Sequence, residues 1–138
     1  MQRRNITQAL VPALEEIRGK LGLPRAVNPA LFERSDCGAP HVECSRNGEW
    51  YYIVTEHGLT LEKKKAKDLD EMLYWLASDL TFAMACSYEL KNRVAGRDCR
   101  RIIFTKELEL MEKLGAGWSA HREAEIASTL AEHPYVGR

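Results

Sequence analysis

Residues 68–94 read DLDEMLYWLASDLTFAMACSYELKNRV, and the fold turns on how this stretch is read. As a helix its 27 residues span about 40 Å. An average helix has only ~11–12 residues. Leu69, Met72, Leu73, Leu76, Leu80, Ala83, Met84 and Ser87 recur at spacings of three and four and define an apolar or small stripe. Tyr74, Trp75, Ala77, Phe82, Ala85 and Cys86 fall off that stripe. A helix apolar around most of its circumference is covered on more than one side. Ser78, Asp79 and Thr81 interrupt it too often for a membrane span. Asp68 with Glu71 three residues on reads as a capping box, and Gly96 as the end.

Upstream lies a strand region. Residues 39–46 run into Asn47-Gly48, a strong short hairpin signal. Residues 49–55 (Glu49-Trp50-Tyr51-Tyr52-Ile53-Val54-Thr55) follow, dense in aromatic and β-branched side chains. His57-Gly58 makes a second reversal, and Leu59 to Glu62 form a third strand that frays into Lys63-Lys64-Lys65. Such short connections predict an antiparallel meander. On its central strand Tyr51, Ile53 and Thr55 face one way and Trp50, Tyr52 and Val54 the other. One face covers helices; the other is a partner surface or lies under the first helix.

At the N-terminus, Thr7 reads as an N-cap, with Ala9, Leu10, Ala13, Leu14, Ile17 and Leu21 as an apolar stripe. Pro12 inside the pattern places the regular helix from Pro12 onward. Gly22 and Pro24 end it, and Asn28-Pro29 caps a short turn through Phe32. Beyond the long helix, Asp98 caps a helix ended by Gly115 and Gly117, and a last helix begins at Trp118 or Ser119 and stops at Pro134. The fold expected is a single α+β domain over residues 1–138. Its parts are an N-terminal helix in 1–25, a three-stranded antiparallel meander in 39–66 and three helices in 68–133, led by the long one.

The totals exclude more than they assign. A chain of 138 residues can bury a sizeable core. Lys plus Arg equals Asp plus Glu at 20 each, which argues against a dedicated nucleic-acid binder. The opening MQRRNITQALVPALEEI is cut by Glu15 and Glu16 before an export signal can form, and no long apolar run predicts a membrane span. The four cysteines, Cys37, Cys44, Cys86 and Cys99, show no framework spacing, so reduced thiols and a cytoplasmic location are expected.

Chemistry is sparse. Cys37, His41, Cys44 and His57 are the one set with metal-ligand types, but zinc needs four donors converging at about 2.0–2.3 Å, and two of these lie along a hairpin. A thiol nucleophile at Cys37 or Cys44 with His41 or His57 has no visible activating geometry. Glu89 and Arg93 suggest a helix-surface pair, as do Arg100 and Arg101 more loosely. Lys63-Lys64-Lys65-Ala66-Lys67 reads as a protected strand edge. No phosphate loop, paired-carboxylate motif or HExxH is present. No catalytic, cofactor or metal residue is therefore assigned.

One further pattern is informative: Glu33 to Glu43 (ERSDCGAPHVE), Trp50 to Val54 (WYYIV), Asp68 to Trp75 (DLDEMLYW), Tyr88 to Arg93 (YELKNR), Asp98 to Arg101 (DCRR) and Leu108 to Leu110 (LEL). In this order they resemble the immunity protein 63 family of bacterial polymorphic toxin systems, over roughly residues 30–135. Cys99 and His57-Gly58 depart from that pattern, which would favour an aromatic residue and an Arg-Gly turn. The resemblance implies a small cytosolic, non-enzymatic protein, without cofactor, that binds and neutralises a cognate protein toxin. The expected partner surface is the loop Arg34–Glu43 with the outward face of the meander: Arg34, Asp36, His41, Glu43, Trp50 and Tyr52. The same residues would alternatively brace the loop against the long helix. The alternative functions are a metal- or ligand-binding stress protein using Cys37, His41, Cys44 and His57, and a structural adaptor.

Overall fold

The first helix runs through its proline. In the computed structural model α1 spans Arg3–Lys20 with Pro12 inside it, so Thr7 lies within the helix and is not its cap. An interior proline costs about 3 kcal/mol through its missing N–H and a ring clash. Burial of Leu10, Leu14 and Ile17, at about 1.5–3 kcal/mol each, outweighs that cost. Gly22 turns left-handed at φ 76°, and Leu23 N–H closes on the Arg18 carbonyl at 2.9 Å, ending the helix. The structure describes residues 3–23, 32, 34 and 36–137, with α1 side chains from Gln8 onward. The Asn28-Pro29 turn lies outside them.

Next comes a three-stranded antiparallel sheet of order β1-β2-β3, formed by β1 (Cys37–Cys44), β2 (Trp50–Glu56) and β3 (Leu59–Ala66). Three helices follow, α2 (Leu69–Lys91), α3 (Cys99–Glu112) and α4 (Ala116–Glu132), so the fold is α+β as the sequence predicts. The Asn47-Gly48 reversal holds in modified form. Gly48 N–H bonds the Ser45 carbonyl and only Gly48 is left-handed, so this is a longer, bulged hairpin loop. At the second reversal both His57 (φ 50°) and Gly58 (φ 80°) are left-handed, as a tight turn of mirror-image type requires. The third strand does not fray at the lysines: Lys63, Lys64 and Lys65 pair in register with Ile53, Tyr52 and Tyr51.

By internal packing the chain forms two compact units, residues 1–19 with 23–75 and residues 20–22 with 76–138. The first holds α1, the sheet and the opening turns of α2. Trp50 and Tyr52 on one face of β2 are buried, and so are Ile53 and Thr55 on the other, so both faces of the central strand are covered. Trp75 meets Tyr52 edge-on at 5.9 Å, and Phe32 meets Trp50 at 6.4 Å. α2 begins close to its predicted box: Glu71 N–H bonds Asp68 Oδ1 at 2.8 Å, while the Glu71 carboxylate reaches one residue past the cap and accepts the Lys67 N–H at 3.1 Å.

The second unit holds the rest of α2 with α3 and α4. Here the predicted stripe fails. Ala83 and Ser87 are exposed, whereas Ala77, Thr81, Ala85 and Glu89, each four residues from the last, are buried. Thr81 Oγ1 satisfies itself on the Ser78 carbonyl at 3.1 Å, and Glu89 accepts from Arg93 at 3.0 Å, so neither polar group is stranded. α3 is capped by Asp98, whose carboxylate accepts the Arg100 N–H at 3.0 Å. α4 starts at Ala116, earlier than expected, and takes Gly117 into its first turn. Glu107 of α3, fully buried, is held by Arg122 of α4.

Candidate functional site

The loop entering the sheet is fastened by one carboxylate. Asp36 sits left-handed at φ 58°, a conformation that Asp tolerates better than most residues. Its Oδ1 receives the Arg34 guanidinium at 3.2 Å and its Oδ2 the Gly58 N–H at 3.1 Å. Its own carbonyl accepts the His57 N–H at 3.2 Å. The start of β1 is thereby tied to the β2–β3 turn, and Arg34, Asp36, His57 and Gly58 gather at one end of the sheet. All four are exposed.

Register orders the sheet into rows, because directly opposed residues share a face. Glu43, Tyr51 and Lys65 form one row; His41, Ile53 and Lys63 form the next on the same face. Tyr51 O–H donates to Glu49 Oε2 at 2.6 Å, and Lys65 donates to Glu49 Oε1 at 3.2 Å. The Tyr51 hydrogen bond, then Lys65, draws the Glu49 carboxyl below its ordinary range. The same bond pushes the Tyr51 phenol above its own. Lys63 lies over the Tyr51 ring at 4.8 Å. Buried His41 sets Nε2 at 3.1 Å from Glu43 Oε2, orienting an exposed carboxylate from below.

The opposite face carries Val42, Tyr52 and Lys64 in one row. Lys64 covers both the Tyr52 ring at 4.8 Å and the Trp75 ring at 4.2 Å, and pairs with Glu62 at 3.2 Å.

The six residues singled out from the sequence thus divide. Arg34, Asp36 and Glu43 are exposed. His41, Trp50 and Tyr52 are not: 1%, 4% and 5% of their surface reaches solvent. Aromatic anchors placed on the outer face of the meander are corrected to core residues, because that face is covered by Trp75, Phe32 and Lys64. The metal or thiol set is also dispersed. Cys37 and Cys44 stand at opposite ends of β1, roughly 24 Å apart at 3.4 Å per residue. His41 and Cys44, three positions apart, face opposite ways. Among the described residues no three His, Cys, Asp or Glu side chains are placed to hold a metal ion.

Sequence reasoning missed Glu49 and Tyr51 as a coupled pair, and it missed the lysines as aromatic caps. The signal was present: Glu49 and Tyr51 are two apart in the stretch that the sequence predicts as extended, hence on one face. In the second unit, Asp98 takes Arg100 at 2.9 Å and the Val136 N–H at 3.0 Å, and these bonds hold its carboxyl far below the usual range. Arg100 donates on to the His133 and Pro134 carbonyls, and Arg101 stacks on Tyr135 at 4.2 Å. That network is a tail clamp. A cleft of about 340 Å³ between Arg93 and Ile102 exposes little polar surface, and its Glu89 is already satisfied by Arg93.

Compared with known proteins, residues 46–128 of the 138 match the family described as Immunity protein 63. The match takes in β2, β3, α2, α3 and most of α4. No curated protein and no solved structure matches the chain.

Proposed function

The chain belongs to the immunity protein 63 family, and from that membership we propose that it binds and neutralises a cognate bacterial toxin by stoichiometric protein–protein contact. The match over more than half of the chain carries this reading. The toxin belongs to a polymorphic toxin system used in competition between bacteria, and neutralisation takes place in the cytoplasm without catalysis. No described helix is long and apolar enough to cross a membrane, which accords with that setting.

The sheet end and its polar face support the reading. An inhibitor needs a preorganised surface of about 800 Å² and a few anchored contacts. Asp36 and Glu43 are exposed carboxylates positioned by the Gly58 N–H and by His41, and Arg34 pairs with Asp36, so less side-chain entropy is lost at these carboxylates on binding. Mixed charge of this kind guides encounter and register more than it sets affinity. Trp50 and Tyr52 act from beneath, as the packed floor.

Growth of a bacterial host expressing the toxin domain encoded beside this gene tests the proposal. Co-expression should restore growth, and the two proteins should elute as a 1:1 complex. Failure to rescue together with absence of a complex overturns it.

A further inference from the structure

We infer that the free edge of β3 is a strand-pairing site for an extended acidic segment of the toxin; the inference rests on the immunity reading. The sheet order β1-β2-β3 leaves two edges. The β1 edge is spoiled: Pro40 has no N–H to donate, and the register breaks between Cys37 and Pro40. β3 contains no proline, and its register is unbroken from Ala66 opposite Trp50 to Glu62 opposite Val54; it shifts once, at Leu61, so the regular edge is Glu62–Ala66. Among the described residues it pairs on one side alone. In an antiparallel ladder, alternate N–H and C=O groups then point away from the sheet and are open to an added strand.

Lysines usually guard such an edge. These lysines are drawn back over the sheet. Lys63 lies over Tyr51, Lys64 over Tyr52 and Trp75, and Lys65 reaches Glu49. Each reaches across β2, leaving the backbone of the edge uncovered while keeping positive charge above and below it. Lys64 and Lys65 have carboxylate partners in Glu62 and Glu49. Lys63 and Lys67 have none among the described residues. Asp68 and Glu71, next along the chain, are engaged by backbone N–H groups at the start of α2. Beyond the lysines, Leu59 and Leu61 stand 66% and 58% exposed on the same strand.

The edge therefore presents an apolar end and a cationic end, matching an extended segment with apolar residues at one end and Asp or Glu at the other. A second copy of this chain fits poorly, since β3 paired antiparallel with β3 about the centre of its lysine run sets Lys64 opposite Lys64 and Lys63 opposite Lys65.

Hydrogen exchange of the 1:1 complex with the adjacently encoded toxin domain tests this. Alternate amides of Glu62–Ala66 should exchange about a hundredfold more slowly in the complex. Leu61→Glu combined with Lys63→Glu should weaken the complex about tenfold or more, while Lys91→Glu, in the second unit, leaves it unchanged. A complex that rescues growth with β3 exchange unchanged overturns the edge and leaves the immunity reading standing. With neither complex nor rescue, both fall. Protection of β3 in the isolated chain together with self-association assigns the edge to a second copy and overturns the occupant.

Discussion

Arg122 of α4 clasps the carboxylate of Glu107 of α3 through two guanidinium nitrogens, and Glu107 has no contact with solvent. A buried carboxylate is tolerable only while its partner stays. Arg122→Met should therefore cost about 3–5 kcal/mol in urea denaturation. Glu107→Leu with Arg122→Met, which removes both charges, should cost far less than that single change. Equal losses in the two variants would show that Glu107 does not depend on the pair.

Pro12 is an exposed interior position of α1, so its replacement opens no cavity. Pro12→Ala restores a helix N–H and removes a ring clash. The helix gains up to about 3 kcal/mol, less about 0.5–1 for the freer unfolded chain. We expect a net rise of about 2 kcal/mol by chemical denaturation. A loss of stability would mean that α1 is bent at Pro12 to suit its surroundings.

These two sites also show where the sequence stopped being informative. Alternation over Trp50–Thr55 correctly predicted a strand with two rich faces, yet alternation cannot say which face is covered. Alternation alone therefore leaves Trp50 and Tyr52 as candidates for an outer face that the structure shows covered. Hydrophobic spacing found Met72, Leu73 and Leu76 but passed over Thr81 and Glu89, because a buried polar residue is legible only with its partner in view. Pro12 and Gly117 read as breaks on local preference; burial of Leu10, Leu14 and Ile17 overrides the first, and the second sits in the exposed first turn of α4. Arg34, Asp36 and Glu43 were identifiable as surface charges. Their fastening by Gly58 and His41 depends on residues distant in sequence or hidden beneath the sheet.

Lys64 is the hinge of one aromatic cluster, lying over Tyr52 and Trp75 together. A cation that stays partly exposed over such rings is worth about 0.5–1 kcal/mol. Lys64→Gln should lose roughly that much, with the near-ultraviolet circular dichroism of Trp75 and Tyr52 altered. Lys67→Gln, which meets no ring, should leave both readings unchanged.

The Glu49–Tyr51 bond gives stability a pH dependence at both extremes. Glu49 titrates below its unfolded value when folded, so its contribution is present above about pH 4.5 and lost as pH falls through the lowered value. Tyr51 titrates above its unfolded value, so its contribution is complete below about pH 10 and lost as pH rises through the raised one. Glu49→Gln should flatten both arms of the stability profile. It should also lower the pH at which Tyr51 ionises, which ultraviolet titration reads directly. A Tyr51 titration unchanged by Glu49→Gln would show the bond absent in solution.

Asp36 can separate the fold from the recognition proposed at the sheet end. Its backbone is left-handed and its carboxylate takes both Gly58 N–H and Arg34. Asp36→Asn keeps an oxygen for Gly58 and tolerates the backbone, losing only an exposed ion pair worth about 0–1 kcal/mol. Asp36→Val loses the acceptor and adds left-handed strain of about 1–2 kcal/mol or more for a branched side chain. Stability should thus fall in the order wild type, Asn, Val. Toxin binding should follow a different order if the charge itself is read: Asp36→Asn, nearly as stable as wild type, would already slow association at low salt. Binding that weakens only in step with stability would make Asp36 a fastener of the loop and nothing more. The salt dependence of the association rate distinguishes the two, because a fastener leaves it unchanged.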